Sequence, residues 1–455
     1  MGGTIWWIRR DARQADNAAL AAAAAAGPVT AVFLIEPVLR AQGAATRWRL
    51  GRALAALDAD LRARGGALTV RTGAAEDILP RLAAELGAAE VHALAWPEPK
   101  RIVADEAART ALNGAAVQLV LHDGATLLPP AAIRNAQGKP FRVQSAFSRA
   151  ARALGVSPPV RMPAHIEWRP APSEQLGDLA PDMNRGAAVL AAHARPAGEA
   201  AALMQLHAFL DGPVEDYAHS RERIDRPGGC TALSEALAVG EIGPRTIWAA
   251  VADHSGEGPQ KLLSELMWRE FAWSLLVARP DLPVANFRPE WDRFPWQGDG
   301  PAAEAWRRAV TGIPLVDAGM REMFVTGTMH NRVRMVVASF LCKHLLTDWR
   351  VGLAWFGDCL TDWDPASNAM NWQWVAGSGP DAAPYFRVFN PALQAEKFDP
   401  TGAYRSRWLS PNSGYFEAVP RSWGLQPSTR LHPVISLAEG RGRALDALSR
   451  MKGAG

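Results

Sequence analysis

The chain has 455 residues, 48 % of them apolar and 21 % charged, with a net charge of +3. Such a composition is that of a soluble globular protein with two or three domains, and it excludes a disordered or fibrous chain. The small net charge excludes a polycation, so any nucleic-acid surface must be local. Eighteen Trp against four Tyr is too lopsided for generic core filling and points to a use for indole itself.

From residue 1 to about 125, β-rich runs (Thr4 to Ile8, Val29 to Ile35, Ala67 to Thr72, Val91 to Trp96, Val117 to His122) alternate with helical ones (Asn17 to Ala26, Arg47 to Arg64, Ala75 to Leu86, Lys100 to Asn113). Alternation of this kind predicts a doubly wound parallel sheet. The apolar stretch from Ala18 to Ile35 is cut by Gly27-Pro28, so it reads as helix, turn and strand rather than a membrane span. No signal-peptide pattern is present, and Cys230, Cys342 and Cys359 lack metal-ligand spacing, which together predict a cytoplasmic protein without a structural disulfide. GxGxxG and P-loop motifs are missing, so an ordinary dinucleotide or triphosphate site is unsupported.

Residues 126–198 are rich in Pro and carry little periodicity, which predicts a connector draped over the surface. From Glu199 the pattern turns helical: Ala201 to Leu210, Ser234 to Val239, Pro244 to Asp253, Pro259 to Val277, Val316 to Phe324, Asn331 to Trp349 and Leu353 to Leu360. The predicted architecture is therefore an α/β domain over 1–125, a connector over 126–198 and an all-α domain over 199–455.

Three units in the helical half carry chemistry. Helical spacing puts Glu265, Trp268, Arg269 and Ala272 near one face, so a carboxylate and an indole are presented together. Asn331, Arg332 and Met335 lie about one turn apart and could line a pocket, the bland alternative being a solvated helix start with a core Met. Residues 362–374 read as a turn-rich loop that presents Asp362, Asp364 and Asn368 beside Trp372 and Trp374. The Asp-x-Asp pattern lacks the Gly and closing Glu of a calcium loop, so no metal is expected. Downstream, Arg387, Asn390, Lys397, Arg405, Arg407 and Trp408 interleave cations with aromatics, a mix suited to phosphate contacts and base stacking.

The opening run Ile5-Trp6-Trp7-Ile8-Arg9-Arg10-Asp11 with Asp16-Asn17, and residues 265–271, 311–320, 330–335 and 368–398, resemble the photolyase and cryptochrome family, most closely its bacterial class I cyclobutane pyrimidine dimer photolyases. The resemblance implies FAD in the helical domain, with Tyr217, Thr231, Leu233, Ser234, Arg332, Asp362, Asp364 and Asn368 around it. Cys230 stands where the family's phosphate-binding run has Thr, and a thiol is a poor donor. Asn368 matches the residue facing flavin N5, where plant-type photoreceptors of the family carry Asp.

For the substrate, the resemblance implies a dimer pocket of Glu265, Trp268, Asn331, Met335 and Trp374, and ultraviolet-damaged DNA held by Arg334, Arg387, Lys397, Arg405 and Trp408. Flipping the lesion out of the duplex is a known property of photolyases. Trp372, Trp349 and Trp296 match a chain of three indoles that passes electrons to the flavin, whereas Trp273, Trp306, Trp355 and Trp363 read as core. Trp363 and Asn371 occupy places where smaller residues are common. An antenna chromophore (folate, deazaflavin or a second flavin) is left open; the folate-type Asn-Glu pair would fall on Pro97-Glu98, which keeps only the acid. The resemblance further implies a monomer with no obligate protein partner and no membrane contact. Two alternatives stand beside repair of cyclobutane dimers. A blue-light photoreceptor would usually add a long C-terminal tail, and a six-four photoproduct enzyme would carry His at the places of Asn331 and Met335.

Overall fold

The computed structural model describes residues 2–183, 185–226, 228–381, 386–428 and 431–453. β1 (Thr4–Ile8), β2 (Val29–Ile35), β3 (Leu68–Thr72), β4 (Glu90–Leu94) and β5 (Gln118–His122) form one sheet in the order β3-β2-β1-β4-β5, with every neighbouring pair parallel. Both faces of β1 are buried. Trp6 and Ile8 pack on one side with Leu20, Leu54 and Leu57, and Ile5 and Trp7 on the other with Leu79, Leu82 and Leu112. Parallel strands need crossovers, supplied by the helices Ala18–Ala26, Ala44–Ala63, Ala75–Leu86 and Pro99–Gly114. All five expected strands are present, with ends moved by at most two residues, and the strand order reverses between β1 and β4.

By its internal contacts the chain forms two compact units. The first holds residues 1–181, 196–215 and 231–280, and the second 182–195, 216–230 and 281–455. Residues 199–215 and 231–280, read from the sequence as part of the helical domain, thus group with the sheet. The connector is less irregular than its prolines suggested. Between Pro140 and Pro158 it forms the helix Gln144–Leu154, whose Phe147 is fully buried with its ring 5.4 Å from Phe271 of the helix Glu257–Ala278. Proline at both ends masked a short amphipathic stretch between them.

In the second unit, the helix expected over Asn331 to Trp349 is broken. It runs as an α-helix over Asn331–Ser339, turns into a π-helix over Phe340–His344 and stops, because Leu346 takes a left-handed conformation (φ 57°). A new helix, Trp349–Cys359, then begins with Asp348 as its cap, accepting the Arg350 N–H at 2.8 Å. The stretch read as a turn-rich loop is also helical. Asp364 accepts the Ser367 N–H at 2.7 Å and Pro365 occupies the first position of the helix Pro365–Ala376. Asp and Pro were thus helix-start signals rather than turn signals. Among the described residues, no helix is long and apolar enough to cross a membrane.

Buried Arg185 ties the ends of two helices in this unit. Its guanidinium donates to the Met323 carbonyl at 3.0 Å, the Phe324 carbonyl and the Cys359 carbonyl at 2.5 Å, all of them last-turn acceptors, and of the three Met323 alone also accepts a backbone N–H, that of Gly327 at 2.9 Å, among the described residues. Arg185→Met should leave the Phe324 and Cys359 carbonyls buried and unsatisfied, costing about 3 kcal/mol. Urea unfolding of the purified variant against the parent checks this, and an unchanged midpoint would contradict it.

Candidate flavin and lesion site

The helix Asn331–Ser339 carries four of the expected site residues, and its start is fixed by a buried polar network. His330 caps it, its Nδ1 accepting the Arg332 N–H at 3.1 Å. A neutral His330 therefore keeps its proton on Nε2, which faces the Cys230 thiol at 3.5 Å. Burial pulls the His330 pKa down to about 4, so the ring is neutral at physiological pH. The His330 N–H donates to Glu322 Oε2 at 3.4 Å, and the Tyr404 hydroxyl donates to the same oxygen. Burial pushes Glu322 up to about 7, against the pull of the Tyr404 hydrogen bond.

From that anchored start, Arg332 and Arg334 leave the helix about 200° apart, so they cannot share a partner. Arg334 makes a two-pronged pair with buried Asp362, at 2.8 and 3.0 Å, and also donates to the Met329 carbonyl at 2.7 Å. Arg332 turns to Glu222 and lies over the Phe398 ring at 4.5 Å. The sequence reading had grouped Arg332 with Asp362 and put Arg334 on DNA; the arginine that pairs with Asp362 is Arg334. Asp364 is engaged as a helix cap. The Asn368 side-chain N–H donates to the Asp364 carbonyl at 3.0 Å, leaving its amide oxygen as an open acceptor among the described residues. Tyr217 is buried at the start of the one-turn helix Tyr217–Ser220, with the Arg221 guanidinium 5.4 Å from its ring centroid.

In the first unit, the run expected to hold phosphate is locally satisfied. The Thr231 hydroxyl accepts the Leu233 N–H at 3.4 Å, its carbonyl accepts from Gln205 at 3.2 Å, and Ser234 is exposed at the start of the helix Ser234–Val239. Leu233 is core, at 2 % exposure. Glu265 and Trp268 share the helix Glu257–Ala278. Glu265 pairs with Lys261 at 3.0 Å, and half-buried Trp268 stands edge-on to Phe271 at 6.0 Å. Glu98, the acid kept at the folate-type position, lies 3.8 Å from Arg10.

The second unit holds the remaining expected residues. Asn331 is exposed and Met335 half-buried, and the Trp374 indole N–H donates to the Asp381 carbonyl at 3.1 Å. Trp372 is buried edge-on to Phe356 at 4.9 Å and Trp306 at 6.2 Å. Trp349, fully buried, donates to Asn286 Oδ1 at 2.9 Å, and half-buried Trp296 sits 4.4 Å from Phe294. All three indoles belong to or pack against one hydrophobic cluster. Sequence reasoning missed Trp291, which stacks 6.2 Å from Trp296, although the spacing Trp291-x₄-Trp296 could have marked it. Of the expected DNA contacts, Arg387 and Lys397 are exposed. Arg405 is tied to Asp399 at 2.8 Å. Trp408, at 4 % exposure, is packed in the core and cannot stack on a base, because the helix Ala403–Leu409 turns that face inward.

A half-buried guanidinium paired with a buried carboxylate, an amide with an open oxygen and a buried Tyr are donors and acceptors of the kind a flavin ring needs, and in kind they fit FAD. Described residues hold no cluster of three or more metal-ligating side chains. A parallel α/β sheet and a helical unit carrying these groups fit a flavoprotein. The comparisons agree. The family model described as the FAD binding domain of DNA photolyase matches residues 262–445, and the one described as DNA photolyase matches 4–164. The deoxyribodipyrimidine photo-lyase of Agrobacterium fabrum is 38 % identical over 98 % of each chain, and Cryptochrome-1 of Arabidopsis thaliana is 32 % identical over 99 % of this chain and 70 % of its own. A solved structure described as a bacterial class III photolyase from Agrobacterium tumefaciens superposes with a TM-score of 0.90 at 37 % identity, covering 100 % of this chain and 98 % of that one. The chain belongs to the DNA photolyase and cryptochrome family. The class I likeness gains no support from these relatives.

Glu322 gives a pH prediction. Its carboxyl has a higher pKa folded, about 7, than its ordinary 4.5, so its stabilising effect is fully present below pH 4.5 and is lost as pH rises through 7. Glu322→Gln removes that loss. The difference in unfolding free energy, variant minus parent, should therefore rise between pH 4.5 and 7, by up to about 3 kcal/mol. Denaturant unfolding at a series of pH values checks this, and a flat difference would rule it out.

Proposed function

We propose that this protein is a deoxyribodipyrimidine photo-lyase that splits cyclobutane pyrimidine dimers in ultraviolet-damaged DNA. FAD, bound and reduced, supplies the light-excited electron that opens the dimer and receives it back, with no net redox change. Trp268, Trp374 and Met335 offer apolar and π surfaces to the faces of a flipped-out lesion. Glu265 accepts the lesion's imide N–H, with Lys261 orienting the carboxylate. Arg334 and Asp362 would hold the flavin edge as a charge-neutral pair, and the open amide oxygen of Asn368 would accept a hydrogen bond from a proton-bearing flavin N5. Arg387 and Lys397, both exposed, and Arg332 meet backbone phosphates, so DNA affinity falls as salt rises.

One observation favours the cyclobutane lesion most directly. The first two turns of the helix Asn331–Ser339 present an exposed amide at Asn331 and a half-buried thioether at Met335, with no imidazole at either place. A six-four photoproduct enzyme would need His there. Cryptochrome-1 among the relatives keeps a photoreceptor as the second reading.

The test is light-dependent repair, by the dithionite-reduced protein, of an oligonucleotide carrying one thymine cyclobutane dimer. Repair is expected in light and not in the dark. Glu265→Ala should lower it roughly tenfold, the loss of one charge-assisted hydrogen bond of about 1.5 kcal/mol. No repair by flavin-loaded, reduced protein would remove the cyclobutane reading in favour of a photoreceptor or the six-four lesion.

Trp372, Trp349 and Trp296 serve a separate step, the delivery of electrons from the surface to the oxidised cofactor. Trp372→Phe should therefore abolish photoreduction in the presence of a mild external donor while leaving repair by chemically reduced protein within about twofold of the parent. Equal photoreduction in the two proteins would show that the electrons take another route.

A further inference from the structure

A cavity of about 200 Å³ lies in the second unit, apart from the residues assigned above, with Val310, Leu409, Leu425 and Leu431 in its apolar wall. It also contains Arg321, from the helix Pro314–Thr326, which is only 6 % exposed. The Arg321 guanidinium lies 4.9 Å from the ring centroid of Tyr415 and 5.1 Å from that of Phe416. Among the described residues its one hydrogen bond is long, 3.5 Å from Nη1 to the Leu409 carbonyl, and its Nε is buried with no acceptor. Among the described residues no carboxylate pairs with it. Asp317, one turn back on the same helix, is taken by the Thr311 N–H at 2.8 Å, the Thr311 hydroxyl at 2.7 Å and the Gly312 N–H at 2.9 Å. The Tyr415 hydroxyl is spent donating to the Arg308 carbonyl at 2.6 Å.

A guanidinium stays charged even when burial disfavours the charge, and an unpaired buried cation is costly. Two aromatic faces offset part of that cost, but they leave the planar donor edge unsatisfied. The group that fits such an edge is a carboxylate, which accepts two parallel N–H bonds. An apolar wall beside two rings favours an aromatic body over a compact inorganic anion, whose remaining charge would be stranded against Val310 and Leu409. The volume is below the roughly 300–1,000 Å³ of pockets for drug-sized ligands, so the ligand is small. We propose that this cavity binds a small aromatic carboxylic acid, its carboxylate on Arg321 and its ring against Tyr415 and Phe416. The site is independent of the flavin and lesion residues.

The FAD-loaded, full-length protein is titrated with benzoate, with benzyl alcohol as the uncharged counterpart and with inorganic phosphate, using ligand-observed NMR and calorimetry. Benzoate should bind at least tenfold more tightly than either control, and Arg321→Met should erase its advantage over benzyl alcohol. Equal affinities, or no benzoate binding up to about 10 mM, would overturn the proposal. Flavin content reports whether the Met variant folds. Should it fail, Leu425→Trp fills the cavity from its loop side and leaves Arg321 in place; benzoate binding that survived this substitution would overturn the assignment equally.

Discussion

The pair between half-buried Arg334 and buried Asp362 is the constraint around which the residues proposed to face the flavin are arranged. A carboxylate at 7 % exposure is stable only with its charge compensated, and Arg334 provides that compensation through two hydrogen bonds of 2.8 and 3.0 Å. The pair joins the helix Asn331–Ser339 to the segment that leads into the helix Pro365–Ala376. Once it is in place, Arg332 must point away toward Glu222, and Asp364 falls where it can cap the second helix. The Asp364 carbonyl then holds the Asn368 amide. One ion pair therefore fixes, through successive local contacts, which arginine engages Asp362, which turns to Glu222, and which amide atom of Asn368 is left open.

The neighbouring network of His330, Glu322 and Tyr404 works differently. Burial pulls the His330 pKa down and pushes the Glu322 pKa up, so both groups favour their neutral forms. Neutral partners hold the first turn of the Asn331 helix without a second buried charge beside Arg334. Cys230 belongs to the same network through His330 Nε2. Its replacement of a hydroxyl residue in the phosphate-type run thus has a structural use, as an acceptor for the ring that caps this helix.

Tryptophan serves two purposes in the chain. Trp6, Trp7, Trp273, Trp306 and Trp349 are among its largest fully buried side chains, so part of the indole excess is simply volume in the core. Trp349 alone of these five was read as part of an electron chain, and its indole N–H is satisfied by Asn286. Trp291, Phe294, Trp296 and Phe386 form a second aromatic group at the edge of the same unit. Packing and electron transfer place similar demands on these rings, close contact and exclusion of water. Composition cannot separate the two roles.

The sequence by itself determined the sheet, because strands buried on both faces and separated by helices admit few arrangements other than a parallel one. It also determined the family, through motifs spread over most of the chain, and thereby the cofactor. Asp348 and Asp364 were legible as helix caps in principle, since each immediately precedes a helical run; they were read instead as chain interior and turn. Tertiary structure alone decided which of Arg332 and Arg334 meets Asp362, because both lie within three residues of the same helix start and only the direction each takes from the helix separates them. It also decided that Trp408 is core rather than surface, and that Arg321 makes no ion pair among the described residues, its neighbour Asp317 being bonded to Thr311 and Gly312 instead. An alternation of apolar residues can be read from neighbours along the chain, whereas the partner of a buried charge is chosen by residues tens of positions away.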